Sequence, residues 1–149
     1  MDLILWRHAE AEQGGPDAER KLTEKGLEQA KKVAAWLRPR LSKYQIFSSP
    51  AERAKETATP LDGRFDILRE LYSNASPPDL LEAVGWPKGE GTVILVGHQP
   101  QLGELAAFLM TRSVAPWSIK KGAIWWFKTG HEGGKIVTEL IAVVPPKLA

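Results

Sequence analysis

The sequence predicts an α/β fold with a mostly parallel central sheet and helices on both faces. Two observations carry this. Short, unbroken apolar runs, Leu3–Trp6 and the β-branched Thr92–Val96, have the character of buried strands. Between such runs lie segments whose apolar residues recur at helical spacing, and repeated strand-then-helix alternation is the pattern of a parallel sheet covered by crossover helices. The 149 residues suit one domain, 1–149, with a full-sized core. No internal repeat and no second domain is evident.

Leu3-Ile4-Leu5-Trp6 reads as a central strand that runs directly into Arg7, His8 and Glu10. In open α/β folds the rim beyond such strand ends is where ligands bind. Ala9–Arg20, with Gly14-Gly15-Pro16-Asp17, reads as a long loop, and a long loop after a central strand often has a functional reason. Thr23 is placed to cap a helix whose apolar stripe is Leu27, Ala30, Val33, Ala34 and Leu37. Gly26 in its first turn lowers helix propensity but allows close packing, and Pro39 ends or kinks the helix.

Tyr44–Ser48 reads as the second strand. Ser49-Pro50 then predicts a helix started or capped by Ser49, with the proline in the first turn and Arg53 about one turn in. Phe65–Leu68 reads as a shorter third strand, followed by Arg69-Glu70-Leu71 and a break at Ser73–Pro78. Pro78–Val84 is a short helix and Gly85–Gly91 a loop. Thr92–Val96 leads through Gly97 to His98, then to an apolar helix over Leu102–Met110. Gly122–Phe127 and Val137–Val143 read as two strands joined across a glycine-rich, hairpin-like stretch that exposes His131. Adjacent Trp125 and Trp126 would face opposite sides of their strand.

Composition narrows the function. A net charge of +2 with no long Lys/Arg block argues against nucleic acid, and no stretch is long and apolar enough to cross a bilayer. No leader-like charged and apolar arrangement precedes the first strand. The absence of cysteine removes disulfides, thiolate catalysis and Cys metal sites. Cytoplasm is the default location. Eleven prolines and a single asparagine hint at heat adaptation.

If the strands are parallel, Arg7-His8, Arg53, Glu70 and His98 gather on one side of the sheet. Each alone has an ordinary structural explanation, as a hydrogen-bonding histidine or a helix-surface ion pair. Two well-formed strands ending in histidine are not demanded by folding. Arginine forks match phosphate oxygens. An imidazole can attack phosphorus and carry the phosphoryl group. A second imidazole can stabilise the equatorial oxygens, and a carboxylate can protonate the leaving group and then activate water.

Leu5-Trp6-Arg7-His8-Ala9-Glu10 resembles the opening signature of the histidine phosphatase superfamily, the phosphoglycerate mutase-like group. Ser48-Ser49-Pro50-Ala51-Glu52-Arg53-Ala54-Lys55-Glu56-Thr57-Ala58 resembles its second block, and Val96-Gly97-His98 its third. Small size and the Arg-His-Ala opening look most like the SixA branch of phosphohistidine phosphatases. The resemblance implies a phosphoglycerate mutase-like sheet without a large cap. It implies His8 as nucleophile, Arg7, Arg53 and His98 as the phosphate pocket, and Glu70 as proton donor. It implies a phosphatase that needs no metal or other cofactor and acts through a phosphohistidine intermediate. Ala9 replaces the family's usual glycine, Gly14 stands near the place of the sugar-phosphate members' asparagine, and Gln99 replaces the aspartate of the acid phosphatase branch.

The short linker from Glu70 to Thr92 implies an open, shallow cleft suited to a phosphorylated protein, with a small phosphomonoester as the alternative substrate. The rivals are a metallohydrolase built on His8, Glu10 and His98, a mutase, and a non-catalytic phosphoprotein-binding domain. Lys120 and Lys121 offer a basic rim for a phosphorylated partner, or simply a solvated turn. Oligomeric state is not legible.

Overall fold

The computed structural model describes residues 1–149. Its six strands are β1 (Asp2–Arg7), β2 (Tyr44–Ser48), β3 (Asp66–Ile67), β4 (Thr92–Gly97), β5 (Ile124–Glu132) and β6 (Lys135–Val144). They form one sheet in the order β3-β2-β4-β1-β5-β6. The first four strands are parallel, β5 runs antiparallel to β1, and β6 runs antiparallel to β5. The expected α/β class with a mostly parallel sheet is therefore present.

The central strands are central because both of their faces are apolar. Leu3, Leu5, Val93, Leu95 and Phe127 point to one side. There they pack against Leu80 of α3 (Pro77–Ala83) and Leu102, Leu105, Ala106 and Leu109 of α4 (Gln101–Thr111). Ile4, Trp6, Ile46, Ile94 and Val96 point to the other. There they meet Val33, Ala34 and Leu37 of α1 (Glu24–Leu37) and Ala54 and Ala58 of α2 (Glu52–Ala58). Each fully buried Leu or Ile contributes about 2 kcal/mol relative to exposure, so the middle of the sheet is where β1 and β4 are most stable. The adjacent tryptophans divide as their alternation requires, Trp125 toward the first core and Trp126 toward the second. No helix is long and apolar enough to cross a membrane.

Local chemistry explains the element ends. Thr23 caps α1, its hydroxyl accepting from the Gly26 amide at 3.0 Å. After Leu37 the chain tightens into a 3-10 turn over Arg38–Arg40 that carries Pro39. The strands β5 and β6 run longer than the apolar pattern suggests. Their ladder continues to Glu132↔Lys135, and the turn needs only Gly133 and Gly134, at φ of 57° and 78°. Two consecutive left-handed residues make the two-residue hairpin turn that matches strand twist.

Two expectations are corrected. The third strand shrinks to Asp66–Ile67, both exposed, because it pairs only with β2 at the edge of the sheet. Ser49 does not cap α2 and Pro50 is not in its first turn. The cap position is Ala51, without a side-chain bond, so Ser49 is free for another partner.

Parallel pairing decides where the functional residues meet. Arg7 lies in register with Gly97, so His8 and His98 are the next residues beyond two neighbouring strands. The ladder extends past them through His8 N–H to Gly97 O and Ser49 N–H to Val96 O, each 2.9 Å.

Candidate active site

His8 and His98 face each other with ring centroids 5.1 Å apart. His8 is 8% exposed, and its Nδ1 lies 2.7 Å from the Ala9 carbonyl. A carbonyl can only accept, so Nδ1 carries the proton and Nε2 keeps its lone pair. Burial is the main influence on its pKa, assisted by Arg53 and Arg7 and opposed by the Ala9 bond. The result is a pKa pushed down to about 4. His98 is pushed down to about 3, first by burial and then by His8 and Arg53. Both shifts favour the neutral rings, and a neutral His8 protonated at Nδ1 presents a free lone pair at Nε2.

Two guanidiniums flank the rings. Arg53, the second residue of α2 and 5% exposed, donates from Nη1 to the Asp17 carbonyl at 2.7 Å and from Nη2 to Asp17 Oδ2 at 3.1 Å. Arg7 donates from Nη1 to the Ile119 carbonyl at 2.7 Å. Thr57 ties α2 to the loop after β1, accepting from the Ala9 amide at 3.0 Å while donating to the Arg53 carbonyl at 2.7 Å. Arg7, His8, Arg53 and His98, named from the sequence, therefore lie together.

The Glu70 side chain makes no hydrogen bond or ion pair with any of them. The cavity beside His98, about 320 Å³, is lined by Leu71 and Tyr72 but not by Glu70. Glu70 sits in the 3-10 turn Arg69–Leu71, where successive side chains are a third of a turn apart. Leu71 is buried in the core, and the Glu70 backbone carbonyl accepts from Gln101 Nε2 at 2.7 Å.

The carboxylate that reaches this cavity is Asp17. Besides Arg53, it accepts from the Tyr72 hydroxyl at 2.7 Å and from Arg20 at 3.0 Å. Tyr72 first, then Arg53 and Arg20, hold its pKa well below the usual carboxylate range. Tyr72 also sets its ring edge-on to His98, with centroids 5.6 Å apart. Ser49, fully buried, places Oγ 2.7 Å from His98 Nε2 and accepts from the Ala51 amide at 3.2 Å. Sequence reasoning missed these roles of Asp17, Tyr72 and Ser49. The available signals were the glycine-proline loop after β1 and a tyrosine two residues past Glu70.

A mostly parallel sheet with two paired imidazoles and two guanidiniums beyond its strand ends is an arrangement able to handle oxyanions through histidine. Residues 3–73 match the model of the histidine phosphatase superfamily (branch 1). A Haemophilus influenzae protein described as a phosphohistidine phosphatase SixA homologue is 33% identical over 129 residues. That match spans 73% of this chain and 77% of the relative. The chain belongs to the histidine phosphatase superfamily and is a phosphatase of that group, similar to its small SixA branch.

The fold agrees with solved structures. That of the protein histidine phosphatase SixA complexed with tungstate superposes with a TM-score of 0.76, at 22% identity over 99% of this chain and 98% of the other. That of an Entamoeba histolytica phosphoserine phosphatase H9A mutant, in complex with phosphoserine, gives 0.69 at 18% identity over 95% of each chain. At these identities the likeness shows the fold alone.

Proposed function

We propose that this chain removes the phosphoryl group from phosphohistidine on a protein, through a covalent intermediate on His8. The observation that carries the site assignment is the set of buried side-chain polar atoms with no hydrogen-bond partner. There are three in the chain: Arg7 Nε, Arg53 Nε and His98 Nδ1. A buried unpaired polar atom costs about 1–3 kcal/mol, so native structures rarely keep one without a reason. All three belong to the residues that would surround a phosphate.

In the first step the His8 Nε2 lone pair attacks phosphorus. The new P–N bond forms as the bond to the substrate imidazole breaks, and that imidazole leaves with the electron pair and takes a proton from solvent. In the second step water attacks phosphorus, the P–Nε2 bond breaks, and inorganic phosphate leaves with the water's oxygen. Arg7, Arg53 and an N–H of His98 hold the equatorial oxygens. Asp17 is kept ionised, so it positions Arg53 and Tyr72 and does not donate a proton. An imidazole leaving group needs less protonation than an alcohol, which suits a site where Glu70 does not line the cavity. The only helix between Leu71 and β4 is the seven-residue α3. That leaves an open cleft, supporting a phosphorylated side chain as substrate.

Rapid quench with a labelled phosphodonor, mapped under alkaline conditions that preserve phosphohistidine, tests the reading. A phosphate on His8 that forms in EDTA and is absent in His8→Asn supports it. Loss of turnover in EDTA would move the assignment to a metallohydrolase. Faster turnover of small phosphomonoesters than of phosphohistidine peptides would replace the protein substrate with a broad phosphomonoesterase. A folded protein that binds phosphoprotein without turnover or adduct would be a binding domain.

A further inference from the structure

A second cavity, of about 530 Å³, has Arg7 in its wall. Its walls bring together five cations, Arg7, Lys25, Lys120, Lys121 and Lys147, and one carboxylate, Glu10. The whole chain carries a net charge of only +2, so positive charge is concentrated here. Glu10 already accepts from the Thr23 hydroxyl at 2.8 Å. None of the four lysines is in an ion pair, and Arg7 Nε is buried without a partner.

The backbone carrying the central lysines is clamped to the catalytic strand. Arg7 Nη1 donates to Ile119 O at 2.7 Å, and Trp6 Nε1 donates to Gly122 O at 3.1 Å. The Gly122 amide lies 3.1 Å from both the Arg7 and the His8 carbonyls. Gly122 has φ of 76°, the left-handed conformation this turn requires. Lys120 and Lys121 are thus held at a set place beside His8, with exposed side chains.

We propose that this basic cavity binds an acidic, Asp/Glu-rich segment flanking the phosphorylated residue of the substrate protein. The inference rests on the phosphatase reading and adds a specificity determinant to it. The only apolar residues lining the cavity are Pro145 and Pro146. Sites for small organic ligands are mostly apolar walls with a few polar anchors, whereas this one is dominated by cations. Lysines are flexible point charges, unlike the rigid forks that cradle one compact phosphate. Spread over the start of α1, the turn before β5 and the C-terminal 3-10 turn, they match a chain of carboxylates. Arg7 lines this cavity and is followed directly in the chain by His8, so a segment flanking a residue held at His8 lies within reach of it.

The test uses two peptides with the same phosphohistidine, one with an acidic flank and one with a neutral flank, plus the unphosphorylated acidic peptide. With the intact chain, KM should be about fivefold lower for the acidic substrate, an advantage that falls as salt rises. Lys120→Gln/Lys121→Gln should erase that advantage while leaving kcat and the neutral-flank KM unchanged. Lys120→Arg/Lys121→Arg should restore it. Equal KM values for the two peptides, or equal losses on both, would overturn the proposal. Lysine-dependent binding of pyrophosphate without lysine-dependent binding of the acidic peptide would also overturn it. If no donor is turned over, the phosphatase reading fails by itself. Fluorescence anisotropy of the unphosphorylated acidic peptide then decides the cavity, with lysine-dependent binding supporting it and no binding overturning it.

Discussion

Arg53 and Asp17 are joined twice, from Nη1 to the aspartate's carbonyl and from Nη2 to its Oδ2. The arginine is 6% exposed at its side chain and the aspartate 54%, so a buried cation is held by an anion at the cavity mouth. A phosphate oxygen that reaches Arg53 competes with this contact. Asp17 orients the guanidinium, and its charge would oppose a phosphate dianion bound there.

Asp17→Asn should separate these two effects. The backbone bond to Arg53 remains while one negative charge leaves the rim of an anion site. Phosphate or tungstate is expected to bind about fivefold tighter by calorimetry, with stronger product inhibition. Weaker binding would show that orientation outweighs repulsion.

The histidines set the acid limb. Attack needs neutral His8, whose pKa burial pushes down to about 4, below its ordinary 6.5. The kcat/KM profile is therefore expected to fall near pH 4, with no inflection near 6.5. Stability follows the same sign. Between about 6.5 and 4 the unfolded chain binds protons that folded His8 refuses, and His98 extends the window to about 3. The urea midpoint should be highest above pH 6.5 and fall as pH drops through that window. A midpoint flat from pH 7 to pH 4.5 would contradict this.

Ser49→Ala removes the hydroxyl from His98 Nε2 and from the Ala51 amide. The expected cost is about 1–2 kcal/mol of stability. A drop in kcat of about tenfold with KM nearly unchanged would show that His98 acts in the transition state and depends on Ser49 for its orientation. A parallel rise in KM would make the contact a ground-state one.

Gly26→Ala runs against helix propensity, by which alanine is better by about 1 kcal/mol. A Cβ at Gly26 would meet the Glu10 carbonyl oxygen at 2.0 Å. Backbone must move, so the variant is expected to lose about 2–3 kcal/mol in urea melts. The shift falls on the loop carrying Asp17, so activity should fall with stability. Gain of stability would show that the loop after β1 yields freely.

What the sequence by itself determined was local in origin. Leu3–Trp6 and Thr92–Val96 are apolar on both faces, so they had to lie at the centre of the sheet. His8, His98 and Arg53 follow such segments at short range, and parallel pairing alone brings them together. Thr23 as the cap of α1 is equally a near-neighbour matter, satisfied within three residues. The tertiary structure decided what joins distant loops. Asp17 meets Tyr72 across 55 residues, and Ser49 meets His98 across 49. Neither pairing leaves a periodic trace, because it depends on how loops leave the sheet and not on which face of an element is apolar. Glu70 shows the same limit. Its place in the chain suited a proton donor, but the carboxylate lining the cavity beside His98 is Asp17, brought there by a loop far away in sequence.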